Sequence, residues 1–142
     1  MIQRKQSLWL LLAALLNAGA FICDLYKYDT VVNGVTERKG LHVTDHFPTL
    51  IIALVATLLP FVTIFMFANR KRQMRMTAVS LITTGSFIST ALIRVTRITP
   101  EPVNGSYWIG IILPVAAMIF LILAMAGIRR DEKLVRSVDR LR

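Results

Sequence analysis

Long apolar runs dominate the pattern of hydrophobic and polar positions along this chain. Four of them contain no Asp, Glu, Lys or Arg, namely residues 7–23, 48–68, 77–93 and 108–128. A helix needs roughly 17–25 apolar residues to cross about 30 Å of hydrocarbon. None of the runs shows the polar–apolar alternation of a membrane barrel strand, and lipid offers the backbone no outside hydrogen-bond partner. The pattern predicts an all-α membrane protein, an antiparallel bundle of four transmembrane helices.

The basic residues are distributed unevenly over the segments between these runs. Most of the 17 lysines and arginines lie before the first run, between the second and third, or after the fourth. Basic loops stay in the cytoplasm, so both termini are expected there and the loops 24–47 and 94–107 outside. This arrangement accounts for the net charge of +9 without a nucleic-acid partner.

The first apolar run has a second interpretation. Its basic start and the Ala18-Gly19-Ala20 pattern also fit a cleaved signal peptide. Asn17 and the leucine-rich stretch before it favour a retained anchor. A cleaved form with three spans is the alternative.

Each outer loop carries its own signals. In the loop 24–47, Asn33-Gly34 separates two β-rich stretches, which predicts a short hairpin that must pack on the helix ends. Thr44 or Asp45 is expected to cap the second helix, which would start at Pro48. The loop 94–107 contains Pro100 and Pro102, which predicts irregular backbone.

Composition and motifs narrow the class of function. Hydrophobic residues make up 55% of the chain and charged residues 18%, with a mean hydropathy of +0.60. These values exclude a disordered chain and an ordinary soluble enzyme. The chain has the length of one domain, residues 1–142, and its single cysteine, Cys23, allows no internal disulfide. No nucleophile, phosphate-loop or dinucleotide motif is present, so we expect neither catalysis nor a cofactor.

The tail 129–142 is basic with an apolar stripe. Leu134, Val138 and Leu141 fall on one helical face. This favours a cytoplasmic amphipathic helix that continues the fourth span along the membrane surface, and a docking helix for a partner protein is the alternative. The candidate lipid- or partner-binding residues are Arg4, Arg129, Arg130, Lys133, Leu134, Arg136, Val138, Arg140 and Leu141.

The third run is unusually polar. Thr83, Ser86 and Thr90 share one helical face, which Arg94 and Arg97 continue outward. Small hydroxyl residues most often let membrane helices pack closely, and terminal arginines reach the headgroups. A water-filled path for anions in an oligomer is the second interpretation. Asn17 in the first run is expected to hydrogen-bond to a neighbouring helix.

His42, Asp45 and His46 form the only metal-ligand pattern noted. The histidines are four residues apart, a spacing that binds a metal when it lies on a helix. A solvated loop in which Asp45 caps the next helix explains the same residues, so no metal site is predicted and the three are weak candidates.

The two ends of the chain carry a family resemblance. The start Met1-Ile2-Gln3-Arg4 and the ending DEKLVRSVDRLR at 131–142 resemble an uncharacterised bacterial integral-membrane family, a domain of unknown function. The resemblance implies four spans, inner termini and the bacterial cytoplasmic membrane, and it supplies no activity or cofactor. It makes the charged residues of both ends candidates for a functional face that ties the tail to the amino end.

These observations favour a non-enzymatic accessory subunit or assembly factor of a larger inner-membrane complex. Its expected partners are the lipid bilayer and another membrane protein or a second copy of itself, with no nucleic acid. The alternative is an oligomeric channel or transporter-like protein that uses the polar face of the third span.

Overall fold

The computed structural model of the protein describes residues 3–32, 35–98 and 104–139. It is mainly helical, with one small sheet, and a single 3-10 turn at Val43–Asp45 precedes the second helix. Its elements in chain order are α1 (Gln3–Gly19), β1 (Tyr26–Val32), β2 (Val35–Leu41), α2 (Phe47–Ile64), α3 (Arg70–Val95), β3 (Asn104–Tyr107) and α4 (Ile109–Asp139).

Within the described residues, three helices are long and apolar enough to cross a membrane: α2, α3 and the part of α4 from Ile109 to Leu134. Helix α1 has only 17 residues and starts with the polar stretch 3–6. It ends at Gly19, and residues 20–22 form turns. The first apolar run is therefore helical over only part of its length.

The connection between α2 and α3 differs from the prediction. The basic stretch 70–76 is not a loop but the first two turns of α3, and the turns lie in the apolar residues 65–68. Capping explains the difference, because the Asn69 side chain accepts a hydrogen bond from the backbone of Arg72 at 3.1 Å. Helix α2 is likewise capped by His46, whose Nδ1 accepts from the Thr49 amide at 3.4 Å, and not by Thr44 or Asp45.

Each helix packs against two others. Helix α1 lies against α2 and α4, and α3 lies against the same two helices. Alanines line the closest approaches, since Ala13 of α1 and Ala117 and Ala124 of α4 are fully buried together with Leu10 and Leu121. A second core cluster, which includes Phe87 of α3, lies nearer the sheet. Small side chains let the helix backbones come close, as in membrane helix interfaces.

The sheet has three antiparallel strands in the order β2-β1-β3. Strands β1 and β2 form the predicted hairpin, while its Asn33-Gly34 turn lies outside the described residues. Strand β3 contradicts the expectation of irregular backbone throughout 94–107, because residues 104–107 pair with β1. The Tyr26 ring packs edge-on against Tyr107 at 5.2 Å between centroids and holds the two strands together. Pro100 and Pro102 lie outside the described residues.

The outer surface of the helices is strongly apolar. Large side chains remain exposed on every helix, including Leu15 on α1, Leu58 on α2, Ile82 on α3 and Ile119 on α4. Soluble monomers rarely expose contiguous apolar surface on this scale.

Candidate functional site

The two ends of the helices differ in chemistry. We call the end that carries the sheet the sheet end. We call the opposite end the basic end, because it exposes Lys5, Lys71, Arg72, Arg75, Arg129, Arg130 and Lys133. Polar side chains are buried at the basic end and at mid-height, and a partly exposed polar group lies next to the sheet.

The buried group at the basic end is centred on Asp131 of α4, which is only 4% exposed. Its Oδ2 accepts a hydrogen bond from Nε2 of Gln6 on α1, and its backbone oxygen accepts one from Arg70 Nη1 on α3 at 3.0 Å. Its Oδ1 is buried and has no hydrogen-bond partner among the described residues. We call Gln6, Arg70 and Asp131 the Asp131 cluster. It links the amino-terminal helix to two other helices.

Glycine makes room for this cluster. Gly127 lies one turn before Asp131 on α4, and a Cβ there would lie 3.0 Å from Cγ of Gln6. A side chain at residue 127 would crowd Gln6, which would have to shift by a few tenths of an ångström. The charged residues of the two ends were candidates for a functional face that ties the tail to the amino end. The tie in the described residues is an amide–carboxylate hydrogen bond, and the side chain of Arg4 lies outside the description.

A second buried contact joins α2 to α3 at the same end. Gln73 is 3% exposed, and its Nε2 donates to the backbone oxygen of Thr63 at 3.3 Å. The Thr63 hydroxyl donates in turn to Leu59 O at 2.7 Å. The Thr63 oxygen also accepts from the Met66 amide at 3.2 Å, so the Gln73 side chain adds an interhelical bond to a carbonyl at the turn that ends α2. All four helices are thus held by polar contacts at the basic end.

A groove opens beside the Asp131 cluster, between α3 and α4. Its volume is about 250 Å³, and Met74, Arg129, Glu132 and Lys133 line it. Arg129 extends back along α4, where its Nη2 lies 3.5 Å from the sulfur of Met125. We call this the α3–α4 groove.

At mid-height, Asn17 connects three helices. It is fully buried on α1, and its Nδ2 donates to Ala56 O of α2 at 2.9 Å and to Thr84 Oγ1 of α3 at 3.2 Å. The Thr84 hydroxyl donates to Ser80 O of its own helix at 2.9 Å. Asn17 Oδ1 is buried without a partner among the described residues.

The polar stripe expected on α3 lies on another face. Thr83 and Thr90 are only half-buried and Ser86 is exposed, and each hydroxyl donates to the carbonyl four residues earlier. The face that packs inside the chain carries Gln73, Thr77, Ser80, Thr84, Phe87 and Ala91. Thr83, Ser86 and Thr90 thus lie off the face that packs inside the single chain, and both interpretations of the stripe stay predictions. Ser/Thr residues occur all round α3, so hydroxyl spacing alone did not identify the packed face.

The arginines at the end of that stripe have separate surroundings. Arg94 Nη1 donates to His42 O at 3.1 Å and so joins α3 to the segment after β2. Arg97 is exposed in the turns after α3. They do not form one lined path in the single chain.

At the sheet end, polar contacts converge on Asp24. Its two carboxylate oxygens lie 3.2 Å from Lys27 Nζ and 3.0 Å from His42 Nε2. Its backbone oxygen accepts from the Gly110 amide at 3.0 Å. Lys27 also lies over the Trp108 ring, 4.1 Å from the centroid. Asp24 has no local sequence signal, since only the fold brings its partners from three segments together.

The weak metal candidates have other roles. His42 contacts Asp24, His46 caps α2 and contacts Thr49 Oγ1 at 2.9 Å, and Asp45 accepts from the His42 amide at 2.7 Å. No group of three or more His, Cys, Asp or Glu among the described residues could hold a metal ion. The spacing of the histidines was misleading because only three residues between them form a helical turn.

The candidate residues of the tail lie on the last part of α4. Arg129, Arg130 and Lys133 are exposed, and Leu134 is 51% exposed. The side chains of Arg136 and Val138, and the residues Arg140 and Leu141, lie outside the description. The tail is a direct continuation of α4 as far as Asp139.

Residues 2–141 match the model of a protein family described as a domain of unknown function, DUF4293. The chain belongs to this family. The resemblance noted at the two ends is thereby confirmed over nearly the whole chain. No curated protein and no solved structure matches the sequence.

Proposed function

We propose that this DUF4293 protein is a small, non-enzymatic integral membrane protein of the bacterial cytoplasmic membrane. In this proposal, all four helices span the bilayer as a bundle, and both termini and the basic end face the cytoplasm. The basic end docks onto another membrane protein, for which the chain acts as an accessory subunit or assembly factor.

The membrane placement of α1 is supported by its neighbours. Its 17 residues extend about 26 Å at 1.5 Å per residue, slightly less than the hydrocarbon thickness. It nevertheless packs between α2 and α4, and it exposes Leu8, Leu11 and Leu15. Burial in lipid satisfies this surface, whereas exposure to water would cost roughly 25 cal/mol per Å² of apolar area.

The orientation is supported by the contrast between the ends. The basic end carries exposed cations on α1, α3 and α4, and the positive-inside rule places such an end in the cytoplasm. The sheet end pairs many of its charges, as Asp24 does with Lys27 and Asp29 with Arg38.

The docking role rests chiefly on one observation, the exposed face at the end of α4. Lys133 and Leu134 are both exposed where the description of side chains ends, and the helix itself continues to Asp139. An apolar residue beside cations on a continuous helix suits the surface of an acidic, partly apolar partner.

The test is gentle purification of the tagged protein from its native membrane, with mass spectrometry of the particle. We expect a stoichiometric foreign membrane protein that is lost on deletion of residues 134–142. The control is Arg38→Gln with Lys39→Gln, which removes exposed charge at the sheet end and is expected to retain the partner. A particle of this chain alone, or a partner kept after the deletion, would contradict the docking role.

The channel remains a prediction. Its candidate stripe on α3 lies on the outside of the single chain, so a path along it needs neighbouring copies. A homo-oligomer in the purification would direct attention to it.

A further inference from the structure

The α3–α4 groove combines two features, a pair of cationic side chains and an apolar wall. Arg129 and Lys133 stand one turn apart on α4 and are both exposed, and Met74 of α3 supplies an apolar wall. Residues four apart share a helical face, so Arg129 and Lys133 border the groove from the same side of α4. Lys71, three residues before Met74, adds an exposed cation on the α3 side.

The position of the groove along the helices sets the chemistry of its occupant. Arg129 extends toward the apolar part of α4, where its Nη2 meets the Met125 sulfur at 3.5 Å. Residues 109–128 before it contain no charge, and basic residues follow immediately. The groove therefore lies at the border between the apolar and the charged surface. A ligand that fits has an anionic group joined to an apolar body.

The geometry points to the α3–α4 groove as a binding site for the headgroup of an anionic phospholipid. Arg129 and Lys133 bind the phosphate, and the Met74 side contacts the first part of the acyl region. Basic pockets between membrane helices at the cytoplasmic surface suit such headgroups. The inference rests on the membrane placement proposed above.

Glu132 also lines the groove and opposes an anion there. The lining residues carry two cations, Arg129 and Lys133, against this one carboxylate. The net charge of the groove therefore remains positive.

Native mass spectrometry of the protein ejected from nanodiscs tests the site. The nanodiscs contain phosphatidylethanolamine with a minor fraction of phosphatidylglycerol. We expect wild-type protein to retain phosphatidylglycerol in preference to phosphatidylethanolamine. Arg129→Gln with Lys133→Gln is expected to weaken this binding about 30-fold, since each basic group near anionic lipid contributes about fivefold.

The matched control removes the same charge from the same end. Lys5→Gln with Arg72→Gln changes one exposed cation on α1 and one on the far side of α3 from Met74. Because neither cation lines the groove, this variant is expected to weaken phosphatidylglycerol binding clearly less than the groove variant does. Equal loss in both double variants would show a diffuse attraction to the whole basic end and overturn the site. Undiminished binding in the groove variant would overturn it as well.

A further variant and a competition experiment test whether the groove binds a lipid headgroup. Met74→Asp adds an anion to the groove wall while keeping both cations, and it must also reduce phosphatidylglycerol binding. Inorganic phosphate must not compete, since it lacks the apolar body; effective competition would identify a soluble phosphate site and overturn the lipid assignment. Failure of the wild-type chain to enter nanodiscs counts against the membrane placement, whereas entry without retained phosphatidylglycerol counts against this site alone.

Discussion

The amide of Gln6 donates a hydrogen bond to the carboxylate of Asp131, so two side chains 125 positions apart in sequence meet inside the protein. Both are about 95% buried, and they join the first helix to the last. This contact fixes α4 against α1 at the basic end. Substitution of either residue therefore tests how much the contact contributes to the free energy of unfolding.

Gln6→Ala is expected to destabilise the protein by about 2 kcal/mol, because it leaves the buried Asp131 carboxylate without its side-chain donor. Unfolding in mixed detergent micelles, followed by circular dichroism, measures the change. Lys5→Ala, at an exposed position of the same helix turn, is the control and should stay within about 0.5 kcal/mol of wild type. A double-mutant cycle with Asp131→Ala should give a coupling of about 1 kcal/mol, and strict additivity would refute the contact.

Thr84→Val is expected to cost about 1 kcal/mol, because it removes the oxygen that accepts from Asn17 Nδ2 between α1 and α3. The neighbouring Thr83→Val is a close control, since Thr83 is only half-buried and its hydroxyl bonds to Val79 O of its own helix. We expect Thr83→Val to change the unfolding free energy by less than about 0.5 kcal/mol. A larger loss of stability for Thr83→Val than for Thr84→Val would mean that the face of α3 with Thr83 lies in the core.

Gly110→Ala is expected to destabilise the sheet end by about 2 kcal/mol or more, because backbone atoms of a neighbouring segment occupy the space that the new Cβ needs. A Cβ at residue 110 would lie 2.4 Å from Asp24 O and 2.9 Å from Cys23 O. Thermal unfolding in detergent measures the loss. Gly85→Ala is the matched control: a Cβ there meets nothing within 4 Å, and removal of a helical glycine should stabilise by about 0.5–1 kcal/mol. A clear loss for Gly85→Ala would mean that another chain covers this face.

Liposomes that contain the purified chain should show no more anion flux than empty liposomes, since the polar residues of α3 line no enclosed path within one molecule. A fluorescent chloride indicator inside the vesicles gives the measurement. Flux above background that disappears in Thr90→Ala with Arg94→Ala and Arg97→Ala would reverse this expectation and support the channel. The same triple variant must first be shown to enter the liposomes with wild-type helix content.

The sequence predicted the helices better than their faces and ends. The apolar runs located α2 and α4 and the central part of α3. The basic connection expected at 69–76 is instead the start of α3, because Asn69 caps the helix there. The packed face of α3 was not identified because threonines and serines occur on both sides. Thr84 is buried and Thr83 is not, and only contact with Asn17 distinguishes them.

The polar contacts of Asn17 and Asp24 could be predicted from the sequence only in part. Asn17 was expected to face another helix, because an unpaired amide in lipid is costly whatever its partner. Its partners Ala56 and Thr84 could not be named in advance. Asp24 gave no local signal, since its contacts with Lys27, His42 and Gly110 come from three segments.

The sequence by itself determined the class of the protein: its apolar segments, the hairpin and the uneven distribution of charge. Hydropathy, turn preference and net charge belong to short segments, so they can be read without knowing the neighbours. The tertiary structure alone decided that β3 joins the sheet, that Gln6 meets Asp131, and that Met74, Arg129 and Lys133 share a groove. These relationships depend on the rotation and height of each helix relative to the others, which the packing of alanines and glycines sets across the whole chain.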